Sequence, residues 1–165
     1  MAKLIIMCGI AGSGKSTFVK KHMDPDLDIY VSRDEIRFSL LQESDDYFAV
    51  EDEVWIQYVA AINAGLRKGR TVWADATHLN KKARLKLLHA LHPTPAEIEI
   101  IYVKVPLETA LDQNELREGF AKVPEDAIRR MWKSIEEPEF HEGKFTYNKI
   151  YIKQPDMVIQ IKEEI

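Results

Sequence analysis

The sequence carries one cysteine, Cys8, in 165 residues, so no disulfide can form within the chain. That fits a reducing, cytoplasmic compartment, with Cys8 serving as a small buried hydrophobe. Long apolar runs are missing as well; none approaches the ~20 residues of a membrane span. The opening MAKLIIMCGI has an apolar stretch too short for a signal peptide and runs straight into a glycine-rich loop, so it reads as a first strand. Positive charge is in short supply: 23 Lys and Arg stand against 27 Asp and Glu, a net charge of −4. This argues against a protein that coats duplex nucleic acid, yet it leaves room for one that grips a few nucleotides in a local basic groove. The five histidines show no zinc-ligand spacing. Repeats, low-complexity tracts and linkers are also lacking. What remains is 45% hydrophobic and 30% charged, the composition of a single globular domain over residues 1–165 with a sizeable core.

The elements alternate. Residues 3–8 form a continuous apolar run, as expected of a strand covered on both faces, and a glycine loop leads from it to a helix starting near Lys15. Residues 28–31 fit a second strand. A long amphipathic helix is expected over 44–66, with Tyr47, Val50, Val54, Tyr58, Ile62 and Leu66 at spacings of three and four. Lys68-Gly69-Arg70 ends it, and 71–74 form the next strand. Residues 80–91 are helical, with Leu85, Leu88 and Leu91 inward and Lys81, Lys82, Arg84 and Lys86 on the wetter side. The prolines of 92–95 close that helix. A strand at 97–103, helices at 106–117 and 124–136, and final strands at 149–152 and 157–161 complete the pattern. Such alternation predicts a three-layer α/β/α fold of the P-loop NTPase type, with a mainly parallel sheet.

Gly9-Ile10-Ala11-Gly12-Ser13-Gly14-Lys15-Ser16 satisfies G-x-x-x-x-G-K-[ST] in full. Glycines at 9, 12 and 14 let successive N–H groups turn inward around phosphate oxygens. The helix starting at Lys15 points its positive end at the same anion. Lys15 is expected to reach the β- and γ-phosphates of ATP, and the Ser16 hydroxyl to ligate Mg²⁺. The motif specifies nucleotide binding and leaves the reaction open.

Three further segments bear on the reaction. Ser32-Arg33-Asp34-Glu35-Ile36-Arg37 follows the second strand, and in a doubly wound sheet it should face the phosphate loop. Asp34 is placed there either to take a proton from an attacking hydroxyl, to hold a metal-bound water, or simply to cap a helix. Arg37, one turn on, suits an acceptor phosphate. Asp75-Ala76-Thr77-His78-Leu79-Asn80 ends the strand at 71–74; its acid either orients Arg37, binds the acceptor or caps the next helix. Residues 114–123 join two helices with Arg117, Gly119 and Lys122 between them, which describes either an arginine-bearing lid over ATP or a polar surface loop.

In order and spacing, GIAGSGKST, VSRDEIR, DATHLN with Arg84 beyond it, and VPLETALDQNELR followed by KVPEDAIRRMWKS together resemble the polynucleotide 5′-kinase family, across nearly the whole chain. The resemblance implies transfer of the ATP γ-phosphate to a 5′-hydroxyl end of DNA or RNA. It places the nucleotide on Gly9, Gly12, Ser13, Gly14, Lys15, Ser16 and Thr17 with Arg117 from a lid at 114–123, and the metal on Ser16. It makes Lys15, Asp34 and Arg117 catalytic, with Asp34 the general base. It gives the acceptor Arg37, fixed by Asp75, together with Thr77 and Arg84. Gln113 departs from the arginine common in the family's lid, leaving either a weaker lid or Lys122 as substitute. No D-x-D-x-T phosphatase motif is present. Kinases of small hydroxyl acceptors share the same layout, and the acidic net charge suits them. A GTPase switch would need N-K-x-D, and Asn148-Lys149-Ile150-Tyr151 lacks the aspartate.

Overall fold

The computed structural model of the protein describes residues 2–43, 45–155 and 159–164. Strand β1, Lys3–Cys8, lies at the centre of a six-stranded sheet in the order β2-β3-β1-β4-β7-β8. Its neighbours β3 (Thr71–Asp75) and β4 (Glu97–Val103) run parallel to it. β2 (Ile29–Ser32) and β7 (Lys149–Lys153) extend the parallel array on either side. Among the described residues of this sheet only β8, Gln160–Ile161, is antiparallel, at the edge. Of the strand expected at 157–161, residues 157 and 158 lie outside the described residues. The alternating burial of β1 explains its unbroken apolar run. Leu4, Ile6 and Cys8 pack on one face with Tyr58, Ile62, Leu87 and Leu88. Ile5 and Met7 pack on the other with Phe18, Val19, Ala110 and Ile128.

Two helical layers follow. α1 (Lys15–His22), α5 (Leu107–Glu115) and α6 (Glu125–Ser134) cover the Ile5 and Met7 face, and α3 (Glu51–Arg67) and α4 (Lys81–His89) cover the other. α2, Arg33–Leu40, leaves the carboxyl end of β2 and packs against α3. Among the described residues no helix is long and apolar enough to cross a membrane. The mainly parallel three-layer fold matches the sequence expectation. Connections from β1 lead to one side of the sheet and from β3 to the other, so the loop after β1 opens where ligands of such sheets gather.

Two expectations need correcting. The long helix begins at Glu51, not at residue 44, and its first turn is Glu51, Asp52 and Glu53. Three carboxylates complement the positive end of a helix dipole there. Tyr47 and Val50, assigned by spacing to the helix, belong instead to a turn, from which Tyr47 packs at the border between the core and the cleft.

The second correction concerns Arg84, expected on the wet side of α4 and in the acceptor groove. It is fully buried, on the same helix face as Leu87 and Leu88. Its Nε and Nη2 donate to the two carboxylate oxygens of Glu142, each at 2.8 Å, and Nη1 donates to the carbonyls of His78 (3.0 Å) and Glu136 (3.2 Å). Glu142 belongs to a short unforeseen hairpin, β5 (His141–Glu142) and β6 (Phe145–Thr146), and also accepts from the Tyr147 hydroxyl at 2.6 Å. Burial works to raise the Glu142 pKa, but the hydrogen bonds from Arg84 and Tyr147 prevail and hold it below the usual carboxylate range. Arg84 therefore ties the hairpin and the segment after β3 to the core. Because removing one partner strands a buried charge, Arg84→Met should lower stability by about 3–5 kcal/mol, measured by urea denaturation. Glu142→Gln in the same chain should restore part of the loss.

Candidate active site

The phosphate loop runs from Gly9 to Ser16. At Gly12, φ is +82° and a Cβ would lie 2.4 Å from the Ala110 carbonyl, so only glycine fits. Gly14, at φ +97°, caps α1 in the left-handed conformation. The Lys15 side chain folds back over the loop, its ammonium donating to the carbonyls of Gly9 (2.9 Å) and Ile10 (2.8 Å). Burial lowers its pKa, while Asp75 and Asp34 nearby pull in the opposite direction. Gly9 itself shapes the loop through its N–H, which donates to the Thr77 carbonyl at 2.9 Å.

Asp75 ends β3 opposite Ser32 of β2. Its Oδ2 accepts from the Ser16 hydroxyl at 2.8 Å and from the Tyr30 hydroxyl. Asp75 thus belongs to the phosphate-loop side of the site. The expectation that it fixes Arg37 is not met, because other groups hold that arginine. Arg37 is 5% exposed. Its Nη1 donates to Asp34 Oδ1 and, at 3.2 Å, to the Tyr47 hydroxyl, while its Nε donates to Glu51 at 2.6 Å. The Tyr47 hydroxyl in turn donates to Asp34 Oδ1 at 2.9 Å, and the guanidinium lies 4.7 Å from the centre of the Tyr47 ring. Ser32 is the cap of α2, accepting from Glu35 N–H at 3.1 Å. With the cap supplied by Ser32, Asp34 is left to the cleft.

An open cleft brings these groups together. Gly12, Gly14, Lys15 and Ser16 line one side, Asp34 and Arg37 another, and Asp75, Thr77 and Arg117 complete it. Ser13, Gly14 and Thr17 border a second cleft with Val103, Val105, Gln113 and Lys153. Residues 114–123 hold a single turn of 3₁₀ helix, Gly119–Ala121. The buried Asn114 closes the segment on itself, donating to the Val123 carbonyl at 2.7 Å and accepting its N–H at 2.9 Å. Arg117 turns into the cleft, whereas Lys122 pairs with Glu115 at 3.0 Å on the exposed surface. Lys122 does not stand in for the arginine replaced by Gln113.

His78 packs rather than faces the cleft. Its Nδ1 hydrogen-bonds the Met7 carbonyl and its Nε2 the Tyr58 hydroxyl at 3.1 Å. Burial pushes its pKa down to about 3, against the pull of the Met7 carbonyl. Sequence reasoning missed Tyr30, Tyr47 and Glu51. Tyr47 carried a misleading helical spacing, and no local pattern in the sequence marks Tyr30 or Glu51.

A family model described as an AAA domain matches residues 4–138. The chain belongs to that AAA domain family. Among solved structures, this AAA domain is similar to a chain of the Pnkp1/Rnl/Hen1 RNA repair complex, with a TM-score of 0.67 and 24% identity over 81% of this chain and 43% of that one. It spans less than half of that longer chain. It is also similar to a sugar kinase from Janibacter sp. HTCC2649, with a TM-score of 0.63 and 16% identity over 93% of this chain and 86% of that one. Kti12 of Chaetomium thermophilum, in complex with ADP-AlF3, gives a TM-score of 0.63 and 15% identity over 93% and 89% of the two chains. These likenesses establish a P-loop kinase-like α/β fold. Comparison with curated protein sequences finds no match.

Two outcomes are expected of this geometry. Lys15→Ala should weaken nucleotide binding at least ~10-fold, since the loop loses its charge-assisted donor to an anion; calorimetric titration checks it. His78 is held neutral, with a folded pKa well under its ordinary 6.5. Its contribution is full above pH 6.5 and is lost as pH falls from there toward 3. The urea midpoint should drop across that window and drop less in His78→Gln.

Proposed function

We propose that the protein is an ATP- and Mg²⁺-dependent phosphotransferase whose acceptor is the 5′-hydroxyl end of a DNA or RNA strand. The observation that carries this reading is the placement of Asp34 and Arg37, a carboxylate and a buried cation, in the same cleft as Lys15, Ser16 and Arg117. ATP would lie with its phosphates in the loop and its base toward the adjoining cleft of Val103 and Val105. The donor set fits magnesium: the Ser16 hydroxyl and the Asp75 carboxylate are hard oxygens 2.8 Å apart. Among the described residues no group of three or more His, Cys, Asp or Glu could form a metal cage, which suits an ion that keeps several waters and takes phosphate oxygens. When bound, Mg²⁺ supplies charge neutralisation of the β- and γ-phosphates.

The chain's own residues account for the rest. Lys15 exchanges its loop carbonyls for phosphate oxygens, and Arg117 approaches the γ-phosphoryl group from the 114–123 segment. Arg37 holds the acceptor phosphate nearest the reacting end. Asp34 Oδ1 is engaged by Arg37 and Tyr47, which leaves Oδ2 to take the acceptor's hydroxyl proton. The hydroxyl oxygen then forms its bond to the γ-phosphorus, the bond to the bridging oxygen breaks in line, and ADP leaves with that electron pair. Positioning and charge supply the rate, since the transition state asks for little covalent help.

A small-molecule hydroxyl is the second reading. The similar sugar kinase is matched over 86% of its length, against 43% for the repair-complex chain. The net charge of −4 suits a small acceptor, and burial of Arg84 removes one cation from any strand-binding groove. Transfer of labelled γ-phosphate from Mg·ATP to a 5′-hydroxyl oligonucleotide, with the 5′-phosphorylated strand as control, decides between the two. Label on the first strand alone is expected; label on neither, with ATP binding intact, turns the reading to a small acceptor. Asp34→Asn should cut turnover ~10²-fold or more, the scale of a positioned base, with ATP affinity near wild type. Equal losses in both would reduce Asp34 to a structural role.

A further inference from the structure

The acid at the end of β3 is held by a side chain that the reaction above does not use. The Tyr30 hydroxyl donates to Asp75 Oδ2, the same oxygen that accepts from the Ser16 hydroxyl at 2.8 Å. Tyr30 reaches it from β2, where it pairs with Trp73 and stands two residues before Ser32, the residue opposite Asp75. Ser32 is the nearer hydroxyl along the strand, but its oxygen is committed to the cap of α2. The Tyr30 ring is fixed in turn, packed against the Ile5 and Met7 face of the sheet. A phenol is protonated at neutral pH, and an ionised carboxylate only accepts, so the direction of this bond is settled.

The bond from Tyr30 bears on what Ser16 can do. Because Ser16 points its proton at Asp75, its lone pairs are left for a cation. That direction lasts only while Asp75 keeps its place, and the terminal torsion of an aspartate is broad and soft. A second bond to the same oxygen restrains it, and Tyr30 supplies that bond. Restraint of this kind matters unequally among cations. Mg²⁺ demands near-ideal octahedral geometry at short distances, whereas Ca²⁺ accepts more ligands, longer bonds and irregular geometry.

We propose that Tyr30 is a positioning residue that sets the cation choice of the site: by fixing Asp75, it holds the Ser16 hydroxyl in the geometry that Mg²⁺ requires and Ca²⁺ does not. The proposal rests on the reading that Ser16 and Asp75 hold the metal, and adds Tyr30 to it as a group that acts through Asp75. Partners that orient metal ligands in this way are worth about 10–100-fold in metal affinity.

The test is calorimetric titration of the full chain with the β,γ-imido analogue of ATP, in EDTA, in Mg²⁺ and in Ca²⁺. Mg²⁺ should tighten the analogue in the wild-type protein. Tyr30→Phe keeps the ring and removes only the hydroxyl. It should cut the Mg²⁺-dependent tightening about tenfold, the lower end of the range for such partners, and cut the Ca²⁺-dependent tightening far less. The affinity in EDTA and the urea midpoint should stay at wild type. In an Asp75→Ala background the same change should cost nothing more, because the hydroxyl has no carboxylate left to hold. Equal losses for both cations, or an EDTA affinity that falls with them, overturn the proposal. A Mg²⁺ effect that survives Tyr30→Phe intact also overturns it, and the metal reading then stands without Tyr30. If Mg²⁺ leaves analogue binding unmoved in the wild-type protein, the metal reading itself falls and takes the role of Tyr30 with it.

Discussion

The loop leaving β1 is stitched to the segment leaving β3, and everything in the cleft depends on that seam. Gly9 N–H donates to the Thr77 carbonyl, the Cys8 thiol to the His78 carbonyl at 3.2 Å, and the Ser16 hydroxyl to Asp75. These three contacts fix the phosphate loop against the strand end that carries the second acid. They also explain a buried arginine in so small a protein. Arg84 holds the His78 carbonyl from behind, and its charge is matched by Glu142 and not by solvent. A buried ion pair of this kind gains little net stability over an apolar core. What it supplies is direction, since only a forked donor can reach Glu142, His78 and Glu136 at once.

Charge on the proposed acceptor side is arranged differently. Asp34, Arg37, Glu51 and Arg33 form a chain of alternating sign, with Tyr47 bridging Arg37 and Asp34. Each member has a partner within the protein, so the cluster is held by the fold itself. Preorganisation of this sort limits the reorganisation that binding or reaction would otherwise require.

The sheet and the phosphate loop were legible because their signals are local. A strand covered on both faces must be apolar throughout, and β1 and β4 fall at residues 3–8 and 97–103 as expected. The 44–66 helix was overextended because Tyr47 and Val50 happen to continue the spacing of Val54 and Tyr58. Periodicity cannot tell a helical residue from one that a turn sends into a cleft. Arg84 was misplaced for the converse reason. A charged residue on an amphipathic helix reads as solvent-facing, and its partner Glu142 lies 58 positions away, in a hairpin of two-residue strands too short to show a pattern. Tyr30 and Glu51 act through partners 45 and 14 residues distant, which no local motif records.

The acidity of the chain bears on how a nucleic acid could be held at all. With 27 carboxylates to 23 Lys and Arg, little affinity is available from general attraction to a phosphate backbone. The exposed Lys81, Lys82 and Lys86 of α4 do not border the cleft, and Lys86 is engaged over Trp55 at 4.3 Å. An acceptor strand would therefore be gripped at its end and not along its length. A 5′ end offers one hydroxyl and one adjoining phosphate, which in the proposed reaction are the two groups that Asp34 and Arg37 would meet. Binding confined to the terminal nucleotide leaves the rest of the strand, and the identity of its sugar, almost unread. If the proposed acceptor is right, tolerance of strand type would follow from having so little positive surface to read it with.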